Sequence, residues 1–164
     1  MTHDFIIYGN GLSSKLLALA LSKNNFKSLI IADQKPKTKE SNLVTFLSEG
    51  SLKYISKVLE TENIFTESEH IEKLYCEHWI SKKETKLEFE NPNKSTLGKI
   101  VPNVKIDEIF TNKMLSNSEQ IHISDHCEIT SKIDDNKITI TDKSGEKKSA
   151  ALLFYSASSR KHDL

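Results

Sequence analysis

Arginine is almost missing from this chain of 164 residues: Arg160 is the only one, and lysine supplies all the other basic side chains. Lysine lacks the planar fork with which arginine holds a pyrophosphate or a carboxylate through two hydrogen bonds. The composition therefore argues strongly against an active site that depends on arginine.

Cysteine, net charge and long apolar runs are also scarce. The two cysteines, Cys76 and Cys127, give no disulfide framework and suit a reducing compartment. Lys+Arg and Asp+Glu each number 23, so the net charge is zero. A chain without net positive charge has no long-range electrostatic attraction to nucleic acid. The longest apolar stretch is too short to span a bilayer, and the N-terminus lacks a secretory signal pattern. We therefore expect a cytoplasmic protein with a small-molecule or protein partner, no nucleic acid and no transmembrane segment.

What the chain does have is a glycine turn between a strand and a helix. Phe5–Tyr8 is an apolar run, Gly9 and Gly11 follow at once, and Leu16–Leu21 then has helical spacing. Gly9 permits the tight turn, and Gly11 has no Cβ, so the backbone can approach a pyrophosphate at the helix N-terminus. Ser14 stands where glycine or alanine is usual, which weakens this phosphate site without excluding it.

A second strand, Lys27–Ala32, is followed by Asp33, at the offset where a dinucleotide fold places the acid that bonds the adenosine ribose. The predicted cofactor-binding residues are Gly9, Asn10, Gly11, Leu12, Ser13, Ser14 and Asp33. On turn and spacing alone, a strand-to-helix turn that binds nothing stays open as the alternative.

The remainder of the chain predicts further helices and strands. Leu47, Leu52 and Ile55 have helical spacing, with Ser48 as the N-cap, and Asn103 is the expected N-cap of a later helix. Strands are predicted at 71–75, 85–89, 97–102, 121–124, 128–133, 137–141 and 152–155, the last of them buried. Residues 34–40 are interpreted as a surface loop and the lysine pair at 147–148 as a solvated turn. This order predicts a Rossmann-like α/β fold with an inserted partial β-sheet.

The order of elements, together with several specific strings, resembles the N-terminal part of the flavin-dependent aromatic hydroxylases of ubiquinone biosynthesis, within the p-hydroxybenzoate-hydroxylase-like FAD monooxygenases. The strings lie at 4–11, 30–33, 46–51, 97–103 and 151–159. The resemblance implies a truncated, three-layer FAD/NAD(P)-binding domain over 1–164, with 67–102 as a partial substrate-sheet insertion. It also implies FAD as the cofactor and, in the complete family, NAD(P)H as the reductant and a prenylated phenol as the substrate.

The departures from that family are informative too. Leu43 and Val104 stand where its members carry arginines, Ser158 and Ser159 replace its Asp-Gly pair, and the chain ends before its later Gly-Asp motif. We therefore expect a truncated or split homologue, inactive alone, that takes a C-terminal half in trans or self-associates. The alternative is a non-catalytic remnant or accessory interaction module, and a pathway complex could hold the protein at the periphery of the inner membrane.

Two other groups of side chains have the composition of functional sites. His122, His126 and Cys127 lie within six positions, but on a strand His122 would face away from its apolar neighbours, as an exposed edge histidine does. Cys76 and His78 have no base-orienting partner that the sequence identifies. We therefore assign no metal-binding and no catalytic residue.

Overall fold

The computed structural model describes residues 3–32, 42–62, 64–80, 83–93, 96–125, 130–134, 137–141 and 145–155. In chain order the elements are β1 (Phe5–Tyr8), α1 (Leu12–Lys23), β2 (Ser28–Ala32), β3 (Val44–Ser48), α2 (Glu49–Leu59), β4 (Glu69–Ile71), β5 (Lys73–Ile80), β6 (Lys83–Glu90), β7 (Gly98–Pro102), α3 (Asn103–Ser116), β8 (Ile121–Asp125), β9 (Thr130–Asp134), β10 (Lys137–Thr141), β11 (Lys147–Ala150) and β12 (Leu152–Tyr155). Asp33, the 34–40 loop, His126, Cys127, Ser158 and Ser159 lie outside the described residues.

The chain divides into two compact units, one of Met1–Glu40 with Ile106–Leu164 and one of Ser41–Lys105. The first unit is built on a parallel sheet with the strand order β12-β1-β2-β8. In β1 and β2 the apolar runs are continuous because both faces of a parallel sheet are covered. Ile6, Ile7, Ile30 and Ile31 are accordingly no more than 1% exposed.

Different layers cover the two faces of this sheet. Ile6 and Ile31 pack with Ile140 and Ala150, which belong to the antiparallel sheet formed by β9, β10 and β11. Their neighbours in the strands point to the opposite face, and α1 packs on β1, β2 and β8. The result is a three-layer α/β arrangement, which confirms the predicted Rossmann-like fold class.

Two predictions in this unit are wrong. The strand at 152–155 is not buried, because β12 is the outer strand of the described sheet, and Leu152 and Tyr155 are 53% and 47% exposed. Lys147 and Lys148 do not form a turn but belong to β11, where they pair with Thr141 and Ile140 of β10. An antiparallel strand with one solvated face tolerates such lysines.

The second unit contains an antiparallel sheet with the strand order β3-β7-β4. Leu47, expected in a helix, lies in β3 instead, opposite Lys99 of β7. The helix α2 starts only after Ser48, whose Oγ accepts a hydrogen bond from Ser51 N at 3.2 Å and so confirms the predicted N-cap. Of the apolar residues with helical spacing, Leu47 therefore belongs to β3, and Leu52 and Ile55 belong to α2.

β7 approaches β3 so closely at one point that only glycine fits. A Cβ placed on Gly98 would lie 2.9 Å from both the carbonyl carbon of Leu47 and the Cα of Ser48. Both contacts are with backbone, which cannot rotate away as the end of a side chain can. Gly98 therefore fixes the spacing between the two strands.

β5 and β6 form a hairpin with two different faces. Leu74 pairs with Phe89 and Cys76 with Leu87 on one face, and these four residues are exposed. The other face carries ion pairs, including Lys73 with Glu90 at 3.1 Å and Lys86 with Glu77 at 3.4 Å. The hairpin contains the predicted run at 85–89, whereas the run at 71–75 is divided between the end of β4 and the start of β5. In the described part of the chain, no helix is long and apolar enough to cross a membrane.

Candidate cofactor site

The glycine turn leaves β1 and enters α1 as the sequence predicted. Gly9 has a φ of +112°, a backbone conformation that only glycine adopts without strain, and its N–H donates to Ile31 O of β2 at 2.9 Å. Gly11 is the extended N-cap residue of α1, and its carbonyl accepts the first helical hydrogen bond from Lys15 N at 3.0 Å. The turn therefore brings the N-terminus of α1 to the end of the parallel sheet.

The N-terminus of α1 has free capacity to hold an anion. No side chain caps it, and its first turn contains no acidic residue. The N–H groups in the first turn of a helix have no partner within the helix, and the helix dipole places partial positive charge there. Asn10 has a buried Oδ1 for which the described residues supply no hydrogen-bond donor, and as an acceptor this atom could take a hydroxyl proton but not a phosphate oxygen. Asn10, Leu12 and Ser13 thus lie where a pyrophosphate would accept backbone hydrogen bonds.

Ser14 and Lys15 are both buried, at 3% and 4% exposed. The helix packs on the sheet with the Ser14 hydroxyl in place, so the departure from glycine does not prevent the fold. The Lys15 ammonium donates to Asp107 Oδ1 at 2.9 Å and to Thr111 Oγ1 at 2.7 Å, and both acceptors lie on α3. The basic residue nearest the turn is therefore engaged by the protein itself.

Sequence reasoning missed this buried lysine. A single lysine after a glycine turn is not part of a repeating pattern that would predict its burial. An apolar helix face also gives no reason to expect a charged side chain on it. The available signal was Asp107 and Thr111, spaced one helical turn apart on α3, which can present two oxygens on one helix face.

The carboxyl ends of the parallel strands define the edge of the sheet at which the turn lies. β1 ends at Tyr8, β2 at Ala32 and β12 at Tyr155, and the Tyr8 and Tyr155 rings are 5.8 Å apart. In open α/β sheets ligands bind at this edge. Asp33, the residue after Ala32, lies outside the described residues, so the ribose contact assigned to it stays a prediction.

The two positions at which the resemblance places arginines are apolar and open to solvent. Leu43 is 65% exposed and Val104 is 50% exposed. Neither side chain can contribute a charge-assisted hydrogen bond to a phosphate.

His122 differs from the exposed edge histidine that the sequence predicted. His122 Nδ1 lies 2.8 Å from His3 Nε2, and the His3 side chain is buried, with no hydrogen-bond partner for its Nδ1 among the described residues. Burial, followed by the charges of His122 and Lys148, lowers the pKa of His3 below its usual 6.5, against an opposing contribution from Asp4. His3 is therefore neutral in the folded protein at pH 7. Within the described ranges, no three metal-ligating side chains come together.

Known structures share this fold, although no protein-family model and no curated protein matches the sequence. The p-nitrophenol 4-monooxygenase of Pseudomonas putida matches 94% of this chain at 10% identity and a TM-score of 0.69. The flavin-dependent monooxygenase PieE, solved in complex with FAD and substrate, matches 93% at 13% identity and a TM-score of 0.66. A Diels-Alderase of pyrroindomycin biosynthesis matches 95% at 14% identity and a TM-score of 0.66.

The chain thus shares its Rossmann-like α/β fold with part of the flavin-dependent aromatic monooxygenases. It spans 40%, 30% and 32% of the lengths of these three proteins, respectively. At such identities the likeness defines the fold and leaves the reaction open.

Proposed function

We propose that this chain holds the adenosine and pyrophosphate end of FAD, as part of an aromatic-ring monooxygenase related to the ubiquinone hydroxylases. The observation that carries the proposal is the uncapped N-terminus of α1, presented by Gly9 and Gly11 at the carboxyl edge of a parallel sheet. The FAD complex of a structural neighbour supports this choice of cofactor.

In this proposal the chain's residues bind and orient the cofactor, and the flavin supplies the oxidation chemistry when bound. Backbone N–H groups from Gly11 to Ser14 hold the pyrophosphate, and Asp33 accepts the ribose hydroxyls. A flavin hydroxylase must also enclose its ring and its substrate away from water. We propose that further polypeptide, a C-terminal half in trans or a second copy, supplies that enclosure. NAD(P)H and a prenylated phenol are the proposed co-reactants of the assembled enzyme.

Equilibrium titration with FAD, followed by flavin fluorescence, tests the binding step directly. We expect saturable binding that Gly11→Val abolishes, because a valine side chain would occupy the space of the pyrophosphate. Gly50→Val is the matched control: a Cβ at Gly50 meets no atom closer than Ser48 Oγ at 3.8 Å. Circular dichroism establishes that both variants fold.

Competition with fragments of FAD identifies which end the chain holds. ADP should displace FAD, whereas FMN and riboflavin should not, since the proposed contacts are all with the adenosine and pyrophosphate end. Displacement by riboflavin, or binding unchanged by Gly11→Val, would place the flavin elsewhere and refute the proposal.

A second candidate function is a non-catalytic accessory module of the same fold. The exposed apolar side chains of Leu43 and Val104 favour it, because they stand where the resemblance places arginines, the one at position 43 close to the flavin. The Diels-Alderase among the structural neighbours also illustrates that the fold serves other roles. Complete absence of FAD and ADP binding by a folded chain would favour this candidate.

A further inference from the structure

A cleft of about 390 Å³ opens in the second unit, and the glycine turn belongs to the first unit. Its lining includes Leu52 from α2, Ile64 and Phe65 from the segment after that helix, and Lys99 from β7. Phe65 is 2% exposed, and Leu52 and Ile64 are half-buried. The cleft therefore combines an apolar wall with one fixed cation, at a volume within the range of small-molecule sites.

Lys99 occupies an unusual position for a lysine. It lies on β7, the central strand of the β3-β7-β4 sheet, between Leu47 and His70 of the neighbouring strands, and it is half-buried. Its Nζ donates to the carbonyl oxygen of Phe65 at 2.7 Å. Among the described residues, no carboxylate lies within salt-bridge distance of it. The ammonium is thus held in place at the cleft wall with two further donors and no paired negative charge.

We propose that this cleft binds a small organic monoanion, such as an aryl carboxylate, with the carboxylate on Lys99 and the apolar body on Leu52 and Phe65. Partly buried charge is costly unless it is paired, and a bound anion would supply the missing partner. The apolar wall would remove the body of the ligand from water at the same time. This site is independent of the proposed FAD site, which belongs to the first unit.

The other charged groups of the lining define the ligand further. Glu62 also lines the cleft, so a second negative charge on the ligand would meet a carboxylate of the protein. Lys53 lines it as well, but its side chain is 83% exposed, so its ammonium stays hydrated and contributes little. We therefore expect a monoanion to bind better than a dianion, and Lys99 to matter more than Lys53.

Amide chemical shifts of the isotope-labelled full chain, titrated with benzoate, test the proposal. We expect saturable shifts at Leu52, Phe65 and Lys99, with dissociation constants in about the millimolar range for so small a probe. Benzamide, which has the same shape and no charge, should bind about tenfold more weakly because it lacks the charge-assisted hydrogen bond. Acetate, without the apolar body, and phthalate, with a second charge, should also bind more weakly.

Substitutions at Lys99 and Lys53 test whether the Lys99 ammonium causes the preference for benzoate. Lys99→Met should lower the affinity for benzoate to that for benzamide, Lys99→Arg should retain the preference for benzoate, and Lys53→Met should change neither. Equal affinities of the unmodified chain for benzoate and benzamide would overturn the proposal without any variant, as would shifts confined to other surfaces. Because Gly11→Val leaves this cleft intact, benzoate binding and FAD binding can fail separately.

Discussion

The buried ammonium of Lys15 leads to an asymmetric prediction about stability. Its side chain is 5% exposed, whereas that of its partner Asp107 is 30% exposed. Asp107→Ala removes the carboxylate and leaves the Lys15 ammonium buried without a negative charge beside it. Among the described residues, the Thr111 hydroxyl is then its only acceptor. Removing the ammonium by Lys15→Met instead leaves a carboxylate that water already reaches.

The magnitudes follow from that difference in exposure. Breaking a fully buried ion pair costs about 3–5 kcal/mol, and the partial exposure of Asp107 reduces this to about 2–3 kcal/mol for Asp107→Ala. Lys15→Met keeps the apolar stem of the side chain buried and should cost only about 1 kcal/mol. The double variant Lys15→Met/Asp107→Leu should be close to neutral, since it buries no unpaired charge.

Urea unfolding of the single and double variants measures these free energies and their coupling. The ion pair between Lys105 and Glu67, at 3.0 Å with side chains 35% and 83% exposed, provides the control. Glu67→Ala should change the free energy of unfolding by less than about 1 kcal/mol. The reasoning is refuted if Asp107→Ala costs no more than Glu67→Ala, or less than Lys15→Met.

Two further predictions concern His3 and Gly98. The folded pKa of His3 lies below 6.5, so as pH falls below that value the unfolded chain takes up a proton that the folded chain does not. The free energy of unfolding should therefore decrease as the pH falls through about 6.5, and His3→Leu should remove this part of the slope; equal slopes would contradict it. Gly98→Ala should destabilise the protein by about 2 kcal/mol or more, because the new Cβ meets backbone of β3. Gly50→Ala, at an open helical position, should be neutral or slightly stabilising in the same urea titration, and similar costs for both would be the contrary result.

Local chemistry was enough to predict the start of the fold. The Phe5–Tyr8 run, the glycines at 9 and 11 and the Ser48 cap each act within a few residues, and the structure has them as expected. Such features depend on backbone conformation and near neighbours. The strand, turn and helix of the candidate site could therefore be predicted from the sequence.

Features that depend on distant partners could not be predicted in the same way. Lys15 is buried only because α3 supplies two oxygens, and His122 is engaged only because His3 lies beside it. Leu152–Tyr155 has the composition of an interior strand, but its exposure follows from its place in the strand order, as the outer strand of the described sheet. Each outcome is set by tertiary pairing across a large sequence separation.

The position of β1 has a consequence for the order of events during synthesis. β1 lies between β2 and β12, and its partner residues in β12 are made 147 residues later. At ribosomal rates that separation corresponds to about 7–30 s. During this interval one edge of an almost wholly apolar strand lacks its partner in the nascent chain. We expect chaperones to engage this edge of β1 until Leu152–Tyr155 has left the ribosome and closed the sheet.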